Sequence, residues 1–297
     1  MELEKEFYLE EERCGFTVSA QMKAVWAVQL DLLEQLGQVC QKHGLRYFAS
    51  GGTLLGAVRH KGYIPWDDDI DIQMPREDYE RLLQVAPTEF AEPYFFQTAY
   101  NDVQFSRGHA QLRNSNTTAI MLTEKGKYSF NQGIFIDIFP LDGVGDTASA
   151  LAKQRKRVQF WNRLLSLTVR YPANTNKSFA KGLLHGILRW LPYRPLYRRM
   201  EKACRQYEGA STERVALISF DAYNDKLVFP RRCLEETVWL PFESTTIPAP
   251  AGYDEMLTIQ YGDYMTMRQE NTYHGGLLFD TERCYVDYIR NSPSKTV

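Results

Sequence analysis

The chain has 297 residues, 44% of them hydrophobic and 24% charged, which suits one elaborated globular domain or two with a large core. A formal net charge of −2 argues against general nucleic-acid binding. The five cysteines (Cys14, Cys40, Cys204, Cys233, Cys284) are scattered singly, a pattern expected of reduced structural thiols rather than a disulfide framework or a zinc site.

The opening MELEKEFYLEEER is acidic and lacks the basic and apolar regions of a signal peptide. No stretch reaches the ~18 uninterrupted apolar residues of a transmembrane helix. Residues 19–43 have a helical period, with Val25, Val28, Leu32, Leu36, Val39 and Cys40 on one face. Ser19 suits its N-cap, Lys42 and His43 its negative end, and Gly44 the position just beyond. LRYFAS (45–50) reads as a strand, and GGTLLGAVRHKG as a glycine turn opening a short helix. YIPWDDDIDIQMP (63–75) is expected to be a second strand. PREDYERLLQVA (75–86) then starts a helix with Pro75 near its first turn. GIFIDIFP (133–140) is a further β-rich run. This order predicts an α/β or α+β sheet with helices packed on it.

Residues 151–205 differ in composition. They hold 14 of the 35 Lys and Arg but only one of the 37 acids, Glu201, among apolar and aromatic residues. A basic amphipathic helical insertion is expected over 151–210, following a catalytic core over 1–150. Residues 211–297 are expected to pack back on that core.

Strand alternation places Asp67, Asp69 and Asp71 on one face, with Asp68, Ile70 and Ile72 on the other. Carboxylates with Cβ atoms roughly 7 Å apart repel, and a cation among them relieves this. Oxygen-only ligands point to Mg²⁺ or Mn²⁺ rather than zinc. An EF-hand loop fits poorly, because its glycine position is Ile72 and its bidentate glutamate position is Asp78. SGGTLLG (50–56) offers a helix N-terminus at which backbone N–H groups can approach a phosphate. Asp137 in FIDIF is a third carboxylate on an apolar strand. The three elements together suit two-metal phosphoryl transfer, with a charged edge-strand turn as the plain structural alternative.

GGTLLGAVRHKGYIPWDDDIDIQMPREDY, followed by NQGIFIDIFPLDGV, resembles the LicD family, whose relatives include fukutin and fukutin-related protein within the nucleotidyltransferase superfold. The likeness is dense over 48–83 and 131–145 and looser at YGDYM (261–265). It implies a nucleotidyltransferase-like mixed sheet flanked by helices. It also implies metal-dependent transfer of phosphocholine, or a related phospho-alcohol, from a CDP-activated donor such as CDP-choline. The acceptor would be a hydroxyl of a cell-surface glycan, a lipid-linked glycan or a teichoic-acid precursor. Asp69 and Asp71 match the family's metal-binding pair, Asp67 the adjacent acid, Asp137 the third carboxylate, and Gly51, Gly52 and Thr53 the glycine turn. Gln73 departs from the glycine found in many relatives, which bears on pocket shape and removes no ligand.

On this reading Asp69, Asp71 and Asp137 are the catalytic acids, and with Asp67 they hold the metal. Asp137 also takes the acceptor-hydroxyl proton. Gly51, Gly52 and Thr53 cradle the diphosphate. Arg59, His60 and Lys61 form a cationic patch, with Arg113 and His274 as further substrate-binding candidates. Choline would sit against aromatic faces, Tyr63 and Trp66 being nearest the acids. The basic segment 151–205 is expected to meet an anionic membrane surface, on a cytoplasmic protein working at the inner face of the membrane. The competing readings are a DxD glycosyltransferase using a nucleotide sugar and an inactive glycan-binding relative.

Overall fold

The computed structural model describes residues 3–102, 105–123, 128–168, 193–267 and 276–290. His274 and the middle of the basic segment lie outside them.

A short hairpin, β1 (Glu11–Arg13) and β2 (Phe16–Val18), leads into α1 (Ala20–His43). The Ser19 side chain accepts a hydrogen bond from the Met22 N–H, and Gly44 ends the helix in the left-handed conformation at φ 63°. Both caps satisfy groups that the helix itself leaves unpaired. The apolar stripe buries Trp26, Leu32, Leu36 and Cys40 in the main core. Each such leucine contributes roughly 1.5–3 kcal/mol relative to an exposed one. Then follow β3 (Phe48–Ala49), α2 (Gly51–His60), β4 (Asp71–Pro75), α3 (Arg76–Glu89), β5 (Tyr94–Gln97), β6 (Ala110–Asn114), β7 (Thr118–Met121) and β8 (Ile134–Val144).

The central sheet is mixed, in the order β10-β9-β8-β4-β3, with β6 also on β8 and β5 on β6. Here β9 is Arg214–Ala216 and β10 is Val228–Pro230. β8 runs parallel to β4 and antiparallel to β6 and β9. Register decides what each face carries. Ile72, Met74, Ile136, Ile138, Ala110 and Leu112 share the face in the main core with α1. The opposite face carries Asp71 and Gln73 on β4, Phe135, Asp137 and Phe139 on β8, and Gln111 and Arg113 on β6. β11 (Thr237–Phe242) and β12 (Thr245–Pro250) form a separate hairpin. β13 (Leu277–Asp280) pairs with β7.

The aspartate stretch differs from its expected form. Only Asp71–Pro75 is a strand, and residues 63–70 run as a loop. Pro65 has no N–H to give a ladder, and the Asp67 N–H closes a turn on the Ile64 carbonyl. The carbonyls of Asp67 and Asp68 are taken by side chains of α1 instead of a neighbouring strand. Trp26 Nε1 donates to one and Gln29 Nε2 to the other, at 3.1 and 2.8 Å.

The described ends of the basic segment are helical, in α4 (Ala148–Thr168) and α5 (Tyr193–Cys204). Leu151, Val158 and Leu165 pack with Leu196, Tyr197 and Met200, and both rows meet Val144 and Ala216 of the sheet and Ile218 of the turn after it. Lys153, Lys156, Arg157, Arg163, Arg194, Arg198 and Arg199 are exposed. No described helix is long and apolar enough to cross a membrane. A last pair of helices, α6 (Tyr253–Tyr261) and α7 (Tyr285–Arg290), completes the described chain.

Candidate active site

Two strands and one loop bring the acids together. Asp71 and Asp137 are register partners on the parallel pair β4 and β8, so their side chains leave the same face side by side. Asp69 arrives from the loop just before β4. One carboxylate oxygen of each of Asp69, Asp71 and Asp137 lies within 4.8 Å of those of the other two. A second group shares Asp69, with Asp67, Asp68 and Asp69 meeting the same limit. Asp68 therefore does not turn away from its neighbours as alternation predicts, because the segment is not extended there. Asp67, Asp69 and Asp137 are buried, and Asp71 is half-buried.

Burial, then the charges of Asp69 and Asp68, push the Asp67 carboxyl well above the usual range, and it hydrogen-bonds to Asp69. Without a cation this group can relieve its repulsion only by holding a proton. Asp137 goes the other way. Burial raises its carboxyl, but the nearby His109, Arg107 and the Gln111 amide outweigh that and hold it below the usual range. An all-oxygen donor set with one acid kept ionised and another starved of counter-charge fits a hard divalent cation.

The glycine turn closes on these acids from α2. Gly51 has a positive φ of 51°, and a Cβ there would lie 3.1 Å from Asp71 Oδ2. A Cβ on Gly52 would lie 2.7 Å from Asp67 Oδ2. Thr53 Oγ1 accepts the Asp71 N–H at 2.8 Å, and the Ser50 N–H bonds the Asp71 carbonyl at 2.9 Å. These contacts pin the start of β4 to the start of α2.

The structure leaves Arg59, His60 and Lys61 at the far end of α2, on the order of 12 Å along the axis from Gly52. Arg59 donates to the Tyr264 carbonyl through Nη1 and to His60 Nε2 through Nε. Lys61 is exposed and forms the left-handed C-cap. Arg113 is 2% exposed and turned inward, where it bonds Gln97, Gln111 and the Gly133 carbonyl instead of facing a phosphate. Tyr63 is equally buried, stacked on Trp26 with 4.3 Å between ring centroids, so it offers no face to a ligand. Trp66 is half-buried and lies edge-on to Phe16 and His60.

Several residues at the site escape the sequence reading. Gln111 Nε2 donates to Asp137 Oδ1 at 2.6 Å, and His109 Nε2 lies 2.9 Å from the same oxygen. The signal was present in HAQLRN, where His109, Gln111 and Arg113 alternate with apolar residues. That is the same polar-face pattern that marks the aspartates. Tyr261 stands at the glycine turn, its hydroxyl 3.9 Å from where a Gly51 Cβ would be. Trp26 and Gln29, which hold the aspartate loop, look from the sequence like ordinary members of a helix.

A separate cavity of about 330 Å³ opens at the other end of β4 and β8, beside Pro75, Leu141, Gly143 and Arg231. Its wall mixes arginines with glutamates, so it favours no one charge class of ligand.

A mixed sheet with a glycine turn leading into a helix beside paired acids is the layout of a nucleotidyltransferase-type domain. The family described as LicD/FKTN/FKRP, nucleotidyltransferase domain, matches residues 44–172. The chain is 30% identical over 252 residues to the lipopolysaccharide cholinephosphotransferase LicD of Haemophilus influenzae, a match covering 82% of this chain and 91% of that protein. It is 43% identical over 51 residues to the ribitol 5-phosphate transferase FKRP of Homo sapiens, covering 17% of this chain and 10% of that one. The chain belongs to the LicD family.

Proposed function

We propose that this protein transfers a phospho-alcohol, with phosphocholine the foremost cargo, from a CDP-activated donor to a hydroxyl of a glycan. The observation that carries this reading is the convergence of Asp69, Asp71 and Asp137 within 4.8 Å beside a glycine turn. The cholinephosphotransferase likeness spans most of the chain whereas the ribitol 5-phosphate transferase likeness spans a short stretch, which favours choline over ribitol.

In this reading the acceptor oxygen bonds to the phosphorus bearing the alcohol. The bridging P–O bond breaks, and CMP leaves with its electron pair. A bound Mg²⁺ or Mn²⁺ supplies neutralising charge for the phosphate oxygens. Asp69, Asp71 and Asp137 would hold it, with Asp67 and Asp68 beside a second position. Asp71 is the most accessible of the three, which supports it, rather than Asp137, as the acid that meets the entering hydroxyl and takes its proton. Asp137 has one oxygen already engaged and serves as a ligand first.

The test is to incubate the purified chain with Mg²⁺, an acceptor glycan and either CDP-choline or sugar nucleotides. CMP release with phosphocholine on the glycan supports the reading. A nucleoside diphosphate and an extended glycan point to a glycosyltransferase, and no product with any donor points to a binding protein.

The exposed bases of α4 and α5, with Phe160 59% exposed among them, further favour contact with an anionic membrane surface, where a lipid-linked acceptor would lie. Absence of co-sedimentation with anionic vesicles at low salt sinks that part alone.

A further inference from the structure

One cross-strand row runs through the site. Asp71 on β4 pairs with Asp137 on β8, Asp137 with Gln111 on β6, and Gln111 with Gln97 on β5. Two acids are thus followed by two amides, and Gln97, Gln111 and Asp137 are all buried.

An amide can present either its oxygen or its nitrogen, and Arg113 removes the choice. A guanidinium only donates. Arg113 Nη2 bonds Gln111 Oε1, which turns Gln111 Nε2 toward Asp137. Arg113 is itself held from several sides. It donates to Gln97 Oε1 and to the Gly133 carbonyl, and its plane lies over the Phe135 ring, 4.6 Å from the centroid. Gln97 is oriented in turn by donating to Asp102 Oδ2 and the Asn131 carbonyl, at 2.9 and 3.1 Å. At the far end Asp137 Oδ1 receives the Gln111 amide and has His109 Nε2 alongside. Oδ1 is therefore the more engaged of the two oxygens, which favours Oδ2 as the one given to a cation.

Denticity is what separates the hard cations. Ca²⁺ takes six to eight oxygens and often a carboxylate through both of its own, whereas Mg²⁺ demands an octahedron of single oxygens. Resting on the metal-centre reading above, we propose that Arg113 and Gln111 are positioning residues that make Asp137 a one-oxygen ligand. The centre therefore selects Mg²⁺ or Mn²⁺ over Ca²⁺. This assigns Arg113 a task in metal selection, reached through Gln111, in place of phosphate binding.

The measurement is Mn²⁺ binding to the full chain by electron paramagnetic resonance, with Ca²⁺ as competitor and no substrate present. The wild type should bind Mn²⁺ and release it poorly to Ca²⁺. Gln111→Leu should weaken Mn²⁺ binding about 10- to 100-fold, the usual cost of losing an outer partner of a ligand. It should also narrow the Mn²⁺-over-Ca²⁺ preference. Gln111→Glu keeps an acceptor for Arg113 and so protects the fold while removing the donor to Asp137, and the preference should narrow there too. An unchanged preference in either folded variant, or a wild type that binds Ca²⁺ as readily as Mn²⁺, overturns the inference and leaves the metal centre standing. A wild type that binds no Mn²⁺ overturns both.

Discussion

Asp71 and Asp137 stand opposite each other on adjacent parallel strands, one at the first residue of β4 and the other four residues into β8. Parallel pairing in that register turns two acids that are remote in the chain into neighbours. If they and Asp69 hold a cation, replacing any one of the three by Asn should cut turnover by about 10²- to 10³-fold. The metal-free fold should survive. Asp67→Asn should raise the metal-free melting temperature, because it removes a carboxyl disfavoured by burial and by Asp69 and Asp68. Added Mg²⁺ should stabilise the wild type more than the triad variants, since only the folded wild type binds it fully. Equal Mg²⁺ shifts in all of them would contradict the assignment.

Gly52 has no room for a side chain. A methyl there would meet Asp67 Oδ2 at 2.7 Å, and because Trp26 holds the Asp67 carbonyl, the carboxylate would have to turn away from its place among the acids. Gly52→Ala should cost about 1–3 kcal/mol, as overpacking does, and should weaken Mn²⁺ binding as well. Gly51→Ala adds the left-handed penalty of about 1–2 kcal/mol. Calorimetry of the two variants reads the stability change. A Gly52→Ala protein as stable as the wild type would show that the turn sits farther from the acids.

Arg76 and Asp142 form a buried two-pronged ion pair, at 2.7 and 2.6 Å, on the far side of β8 from the acids' end. Asp142→Asn leaves the guanidinium buried with less counter-charge and should cost about 3–5 kcal/mol in urea unfolding. Changing both partners, Arg76→Met with Asp142→Leu, should recover much of that loss. A single variant that unfolds at the wild-type urea concentration would refute the account.

His60 supplies a pH dependence. Burial, then Arg59 and Arg13, push its imidazole from 6.5 down to about 4. The neutral ring accepts the Arg59 Nε–H bond. Between these two values the unfolded chain binds a proton that the folded chain refuses, so stability rises with pH across the window. The contribution is complete above about pH 6.5 and drains away as the pH falls towards 4. Melting curves of His60→Gln, which keeps an acceptor for Arg59, should lose less on acidification over that range. Parallel curves for variant and wild type would dismiss the idea.

Local physics was legible in the chain, and non-local physics was not. The period and both caps of α1, the glycine start of α2 and the alternation of FIDIF depend on neighbours within a few residues, and these elements stand where the sequence places them. The kinship was legible too, because a long uninterrupted motif carries it. The sequence by itself did not decide that residues 63–70 are a loop. That follows from Trp26 and Gln29 on another element capturing the backbone groups a strand partner would have used. Nor did it decide the direction of Arg113. An arginine two residues from a glutamine on a strand reads equally well as a surface phosphate ligand or as a buried brace. Only the pairing of β6 with β8 turned it inward, because that register sets Gln111 opposite Asp137 and leaves the guanidinium to satisfy Gln97, Gln111 and Gly133. Residue types and local spacing determined which groups the site contains. Sheet register, a sum of many distant contacts, decided which of them face one another across the acidic cluster and which stand behind it.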